Sequence, residues 1–193
     1  MNIINALLLV YLLLIGCTLN GSNGKKFEPT FRAEINGETF DITMVDEVFV
    51  SQIAGISYSN EISFLSIFGS IYNEEMYPYK ETLSISVPWN NISQYHSLGS
   101  DTTYYNDNFY WVKRAMYSEW DGDARISNFV TRSSEQGSIS VNIEELPSGN
   151  LVVYGQFSFT AIVEYRGAEL SQRIGQDTLH ITDGEYRMLL DDR

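Results

Sequence analysis

From residue 27 to the C-terminus, apolar positions recur every second residue. In FRAEINGETFDI, Phe31, Ala33 and Ile35 alternate with Arg32 and Glu34. A period of two puts successive side chains on opposite faces of a strand, so one face of this run is apolar. Asn36-Gly37 separates it from a second alternating run, and Asn-Gly supplies the two positive-φ residues that a type I′ hairpin turn requires. Further strands are predicted at 48–57, 62–69, 81–87, 109–118, 124–130, 137–144, 151–153, 155–165, 168–174 and 185–190. Asp121-Gly122, Pro147-Ser148-Gly149-Asn150, Arg166-Gly167 and Asp183-Gly184 read as turns between them. The pattern predicts an all-β domain, an antiparallel meander forming a sandwich or a small open barrel. The one place that predicts a short helix or 3₁₀ turn is 90–97, NNISQYHS, where polar residues follow Val87-Pro88.

The first residues obey a different pattern. Residues 6–15, ALLLVYLLLI, are continuously apolar, and no charge occurs from Met1 to Gly16. As a helix this run rises about 15 Å, against roughly 30 Å of bilayer core, so it reads as the apolar region of a signal peptide rather than a permanent span. Leu14-Ile15-Gly16-Cys17 resembles the bacterial lipobox. That resemblance implies cleavage between Gly16 and Cys17, with acyl chains such as palmitate carried on Cys17. The basic residue usual ahead of such a run is missing from MNIINA. Cys17 is the single cysteine, so no intramolecular disulfide can form and the fold must rest on its core. TLNGSNGKK, 18–26, is polar and without periodicity, which predicts a flexible, disordered tether. The predicted organisation is a signal peptide over 1–16, an acylated cysteine and tether over 17–26, and one β-rich domain over 27–193.

Length and charge narrow the function. The chain of 193 residues fits a single β domain. Its formal charge of -13 repels a polyanion, which excludes nucleic acid as the main partner. Tyrosine, the commonest aromatic here, suits half-buried strand positions.

Candidate chemistry is sparse. His96 and His180 lack the close ligand spacing of a zinc site, no D-x-[DN]-x-[DN]-G loop gathers Asp101, Asp107, Asp121 and Asp123 around calcium, and no G-x-S-x-G elbow presents a serine. The sequence therefore predicts no metal, no cofactor and no catalytic residue. Neighbouring carboxylates occur at Glu74 and Glu75, at Glu144 and Glu145, and at Asp121 and Asp123; glycoside hydrolysis needs two such groups facing each other across a cleft. Both members of the Glu74 and Glu144 pairs read as solvated charge. The aromatic stretch TTYYNDNFYW with its flanks offers a stacking surface of Tyr95, Tyr104, Tyr105, Tyr110, Trp111 and Trp120, because Tyr and Trp join an apolar ring to a polar tip. In a strand the same residues also serve as core and sheet cover.

The lipobox-like start, the tether, Phe31 to Phe40, Tyr104 to Trp111, Gly155 to Ala161 and Ile181 to Tyr186, taken in that order, resemble small lipoproteins of Bacteroidota cell envelopes whose domain has no assigned function. The resemblance implies an antiparallel β domain on an acyl anchor and carries over no activity. The expected function is a lipid-anchored, non-enzymatic envelope protein that binds a protein or a glycan. A glycan hydrolase using paired carboxylates and a periplasmic inhibitor or immunity-type protein are its alternatives. The membrane is met through the N-terminal lipid, and Thr18 in place of aspartate after Cys17 favours the outer membrane over the inner.

Overall fold

The computed structural model describes residues 27–42, 51–59, 62–72, 79–99, 102–105, 108–111, 113–132, 136–167, 171, 173 and 175–191. The signal segment, Gly16, Cys17 and the tether lie outside the described residues. All regular structure among the described residues is strand, as the alternation predicts. In chain order these are β1 (Thr30–Ile35), β2 (Glu38–Asp41), β3 (Ser51–Ser59), β4 (Ile62–Tyr72), β5 (Tyr79–Trp89), β6 (Gln94–Leu98), β7 (Thr102–Tyr105) and β8 (Asn108–Trp111). There follow β9 (Arg114–Asp121), β10 (Ala124–Val130), β11 (Gly137–Glu145), β12 (Leu151–Arg166) and β13 (Thr178–Asp191). Strands β7 and β8 form a hairpin of their own, and the other eleven make one sheet.

That sheet has two halves. In one, β2, β1, β13, β12, β11 and β6 lie side by side, all antiparallel. In the other the order is β3, β4, β5, β9, β10, again antiparallel. The long strands β12 and β13 belong to both halves: the end of β12 pairs with β10, and the end of β13 makes a two-residue parallel contact with β3 at Ala54 and Gly55. The sheet folds over on itself there, and the run of pairings β3, β4, β5, β9, β10, β12, β13 returns to β3 only through that two-residue contact.

The inner faces meet in one core. Phe31, Ile35, Phe157 and Tyr186 from the six-stranded half pack with Leu65, Ile67, Leu83, Ile85, Tyr117 and Phe129 from the other. Phe157 is the hub of the aromatic contacts, with ring centres 5.5 Å from Phe31, 6.3 Å from Phe159 and 6.4 Å from Tyr186. The halves approach closely: a Cβ at Gly69 of β4 would lie 2.2 Å from the Ile42 side chain and 2.7 Å from the Phe31 ring. Each fully buried Phe, Leu or Ile contributes roughly 1.5–3 kcal/mol, so this core carries the fold.

Several expectations need correction. The Asn36-Gly37 turn is present, with φ of +52° and +84°. Residues 90–97, however, hold no helix: 94–98 is strand β6, because His96 and Leu98 are buried while Tyr95 and Ser97 face out. The run 109–118 is two strands, broken at Lys113, whose φ is +60°. The runs 151–153 and 155–165 are one strand, β12. No strand occurs among the described residues of 168–174; Ser171 and Arg173 instead turn into the interior.

Asp183-Gly184 is not a turn ending one strand and starting the next. It lies inside β13, with Asp183 at φ +50°. The register of β13 shifts there against both β1, between Arg32 and Glu34, and β12, between Phe157 and Phe159. A bulge bends the strand that carries it, and this one is shared by three neighbouring strands. A Cβ on Gly184 would sit 2.4 Å from the Phe157 ring and 2.6 Å from the Phe157 carbonyl oxygen. Replacing Gly184 with Ala therefore overpacks the core at its hub. We predict a loss of about 1–3 kcal/mol, read as a lower urea midpoint.

Candidate functional site: a polar groove across six strands

The outward face of the six-stranded half is polar and recessed. Its floor is a row of one residue per strand: Asp41, Arg32, Glu185, Gln156, Ser140 and Tyr95, on β2, β1, β13, β12, β11 and β6. Register pairs Asp41 with Arg32, Arg32 with Glu185, Glu185 with Gln156, and Ser140 with Tyr95. The Gln156 N–H donates to Ser140 Oγ at 2.9 Å, completing the row. A cavity of about 690 Å³ lies over this row and the next one down, which brings in Glu34, Ser158 and Ser138. A second cavity of about 400 Å³ lies over the row above it, at Thr30, Arg187, Tyr154 and Asn142.

Local structure explains the recess. The bulge at Asp183, which bends the strand that carries it, shifts β13 against both β1 and β12, and the short side chains Ser138, Ser140 and Ser158 on β11 and β12 line the recess. Underneath, the Tyr186 hydroxyl donates to the Ser140 carbonyl at 2.9 Å, fixing the floor from the core side. Burial pushes that phenol well above its ordinary pKa, so it stays a neutral donor.

Two ion pairs organise the groove's charge. Arg32 Nε lies 2.7 Å from Glu185, and Arg187 lies 2.8 Å from Glu144. Hydrogen bonding to Arg187 holds the Glu144 carboxyl below the usual range. Glu34 and Asp183 are exposed and have no side-chain partner among the described residues. What remains is a concave surface of hydroxyls, an amide and carboxylates, with one exposed aromatic at its β6 rim: Tyr95 is 70% exposed.

The predicted stacking surface is thus divided. Tyr95 borders the groove. Trp120 belongs to the other half, where Lys80 and Arg125 stack on its ring at 5.0 and 4.7 Å. Tyr104, Tyr105, Tyr110 and Trp111 lie on the separate β7–β8 hairpin, and their side chains are outside the described residues. Among the predicted carboxylates, Glu144 and Glu145 are exposed at the end of β11, Asp123 is exposed and Asp121 half-buried at the β9–β10 turn. Glu74, Glu75, Asp101 and Asp107 lie outside the described residues. No group of three or more His, Cys, Asp or Glu is placed to hold a metal among the described residues.

A buried polar cluster that periodicity does not reveal lies between the halves. Glu119 is fully buried and accepts from the Ser127 and Ser171 hydroxyls. The Tyr117 hydroxyl donates to Glu81 at 2.6 Å. Arg173 enters from the segment before β13, donates to Glu38 at 2.5 Å, lies 3.8 Å from Glu81, and sits 5.7 Å from the Tyr117 ring centre. Burial opposes the Arg173 charge, but Tyr117, Glu38 and Glu81 outweigh it and hold the guanidinium above its ordinary pKa. Burial raises Glu81 in spite of the Tyr117 hydrogen bond and the Arg173 charge. The cluster latches Ser171 and Arg173 to β2, β5, β9 and β10, which makes it a structural tie.

On the outer face of the five-stranded half, Ser70, Thr82, Ser118 and Asn128 form a second buried row. Ser70 and Thr82 are 3.0 Å apart, Ser118 donates to Asn128 at 2.7 Å, and Asn128 donates to Glu164 at 2.6 Å. Ser70, Thr82 and Ser118 stand next to Ile71, Leu83 and Tyr117, an alternation of polar and apolar residues that by itself marks them as solvent-facing, so their burial is a feature sequence reasoning missed.

The histidines have separate roles. The His180 N–H donates to the Asn36 side chain at 2.8 Å and its carbonyl accepts from the Asn36 N–H at 2.9 Å, pinning the β1–β2 turn to β13. His96 is buried on β6, and its Nε2 has no hydrogen-bond partner among the described residues. Burial, and then the Lys113 charge, lower its pKa.

No protein-family model, curated protein or solved structure matches this chain.

Because the folded state disfavours protonated His96, the unfolded chain binds the extra proton first as the pH falls through about 6.5. Stability contributed above that value is lost on acidification, at up to about 1.4 kcal/mol per pH unit. Glu81 has the opposite sign, favouring the fold at lower pH. The difference between wild type and His96→Leu, measured by denaturation from pH 8 to 5, isolates the histidine: the variant is expected to show the shallower loss.

Proposed function

We propose that this protein is a lipid-anchored component of the cell envelope, of the outer membrane in preference to the inner, whose β domain binds a glycan without chemical change. The single observation that carries the binding half of this reading is the polar groove with Tyr95 exposed at its rim. Sugars present hydroxyls in a ring plane and C–H groups on the ring faces. Carboxylates, an amide, an arginine and serine hydroxyls match the first, and an exposed tyrosine ring matches the second. The lipobox-like Leu14-Ile15-Gly16-Cys17 supports the anchor, and the resemblance to Bacteroidota envelope lipoproteins supports the address.

Glu34 and Asp183 border the same groove, and they favour a second reading, hydrolysis of the bound glycan by two carboxylates. Prolonged incubation separates the two: a glycan recovered at its original length supports binding alone, and new reducing ends support hydrolysis.

Two outcomes are expected. In binding to immobilised glycans by the detergent-solubilised full chain, Tyr95→Ala lowers affinity by about three- to tenfold, the loss of one aromatic stacking contact. Tyr95→Phe retains it. If no glycan is held, or Tyr95→Ala binds as wild type does, the groove is not the binding surface. In cell fractionation, Cys17→Ser moves the protein from the membrane pellet to the soluble fraction, and continued sedimentation with membranes argues against an acyl anchor.

A further inference from the structure

The groove is not one cavity. Its lobes of about 690 and 400 Å³ share Ser140, Gln156 and Glu185, and the smaller runs on to a second aromatic, Tyr154 of β12. We infer that the ligand is a linear, uncharged oligosaccharide spanning both lobes, with Tyr95 and Tyr154 as its two stacking platforms. This rests on the glycan-binding reading above and goes further by fixing the ligand's length, its charge and a second subsite.

Register gives the spacing of the platforms. Tyr95 pairs with Ser140 on β11, and Tyr154 pairs with Asn142 on the same strand, two residues along. The two tyrosines therefore flank β11 on opposite sides, two strand spacings apart and one row apart. With strands about 4.8 Å apart and a rise near 3.4 Å per residue, that is about 12 Å of sheet surface. One sugar ring cannot lie on both platforms, whereas consecutive units of a chain can.

Tyr154 is built as a platform rather than as loose cover. Arg187, its cross-strand partner, sits 5.6 Å from its ring centre and equally close to the ring of Phe27, and is itself fixed by Glu144 at 2.8 Å. A ring held by a braced cation loses little freedom on binding. Tyr154 nevertheless remains 36% exposed.

Charge decides which chains fit. The arginines of the two lobes, Arg32 and Arg187, are both engaged by carboxylates. An anionic chain would have to break those pairs while facing Glu34 and Asp183, whereas an uncharged chain donates its hydroxyls to the carboxylates without such a penalty.

The test uses the full chain in detergent and a panel of oligomers from one to six units: β-1,4-glucan, β-1,4-mannan, β-1,3-glucan and α-1,4-glucan, with oligogalacturonate as the acidic member. For at least one uncharged backbone, affinity should rise at least tenfold from dimer to hexamer, and oligogalacturonate should bind more weakly at every length. Tyr154→Ala should lower hexamer affinity about five- to tenfold while leaving the dimer within twofold, Tyr154→Phe should restore it, and Tyr95→Ala should weaken all lengths. A hexamer no tighter than its dimer, tighter binding of oligogalacturonate, or a Tyr154→Ala variant that holds the hexamer like wild type overturns this inference and leaves glycan binding standing. Failure to bind any member of the panel overturns both.

Discussion

The packing of Phe157 against the backbone of Gly184 is the contact on which the core and the groove both depend. Phe157 meets Phe31, Phe159 and Tyr186 in the core, and a Cβ at position 184 would collide with its ring. Because residue 184 is glycine, the bulged segment of β13 lies close against Phe157, and it is at this bulge that β13 shifts register against both β1 and β12. Side chains of the bulge's outer surface then border a recess, while those of its inner surface fill the core.

The domain stabilises itself through one apolar core and two buried polar systems. With a single cysteine in the sequence, no intramolecular cross-link restricts the unfolded chain. The Glu119, Glu81 and Arg173 cluster therefore matters for what its loss would leave behind. Removing one partner of a buried ion pair costs about 3–5 kcal/mol, although the intact pair itself adds little. Such a cluster contributes more to specifying where Ser171 and Arg173 dock than to net stability. The serine, threonine and asparagine row on the other face joins β4 to β5 and β9 to β10 by side-chain hydrogen bonds.

Much of the all-β fold was legible in the chain because a half-buried strand must alternate and a tight hairpin must place residues at positive φ. Asn36-Gly37 met both conditions and formed the expected turn. The misread segments are those where residue type and environment part. His96 is polar by type yet buried, so QYHSL looked unlike a strand. Asp183-Gly184 carries turn chemistry, but a bulge uses the same positive-φ residue within a continuous strand. In AELSQR, alternation was present although Ser171 answers to the buried Glu119 and Arg173 to the carboxylates of Glu38 and Glu81 rather than to a neighbouring strand.

Of the candidate site, the sequence alone marked Tyr95, and only as one aromatic among six. It determined the strand-forming alternation, the hairpin at Asn36-Gly37, the acidic character and the single thiol, because each depends on residue type and near neighbours. The tertiary structure decided which polar residues share the groove. Asp41, Arg32, Glu185, Gln156, Ser140 and Tyr95 come from six segments spread over 32–185, and only strand order and register bring them into one row. Their juxtaposition depends on long-range pairing, which no local pattern encodes.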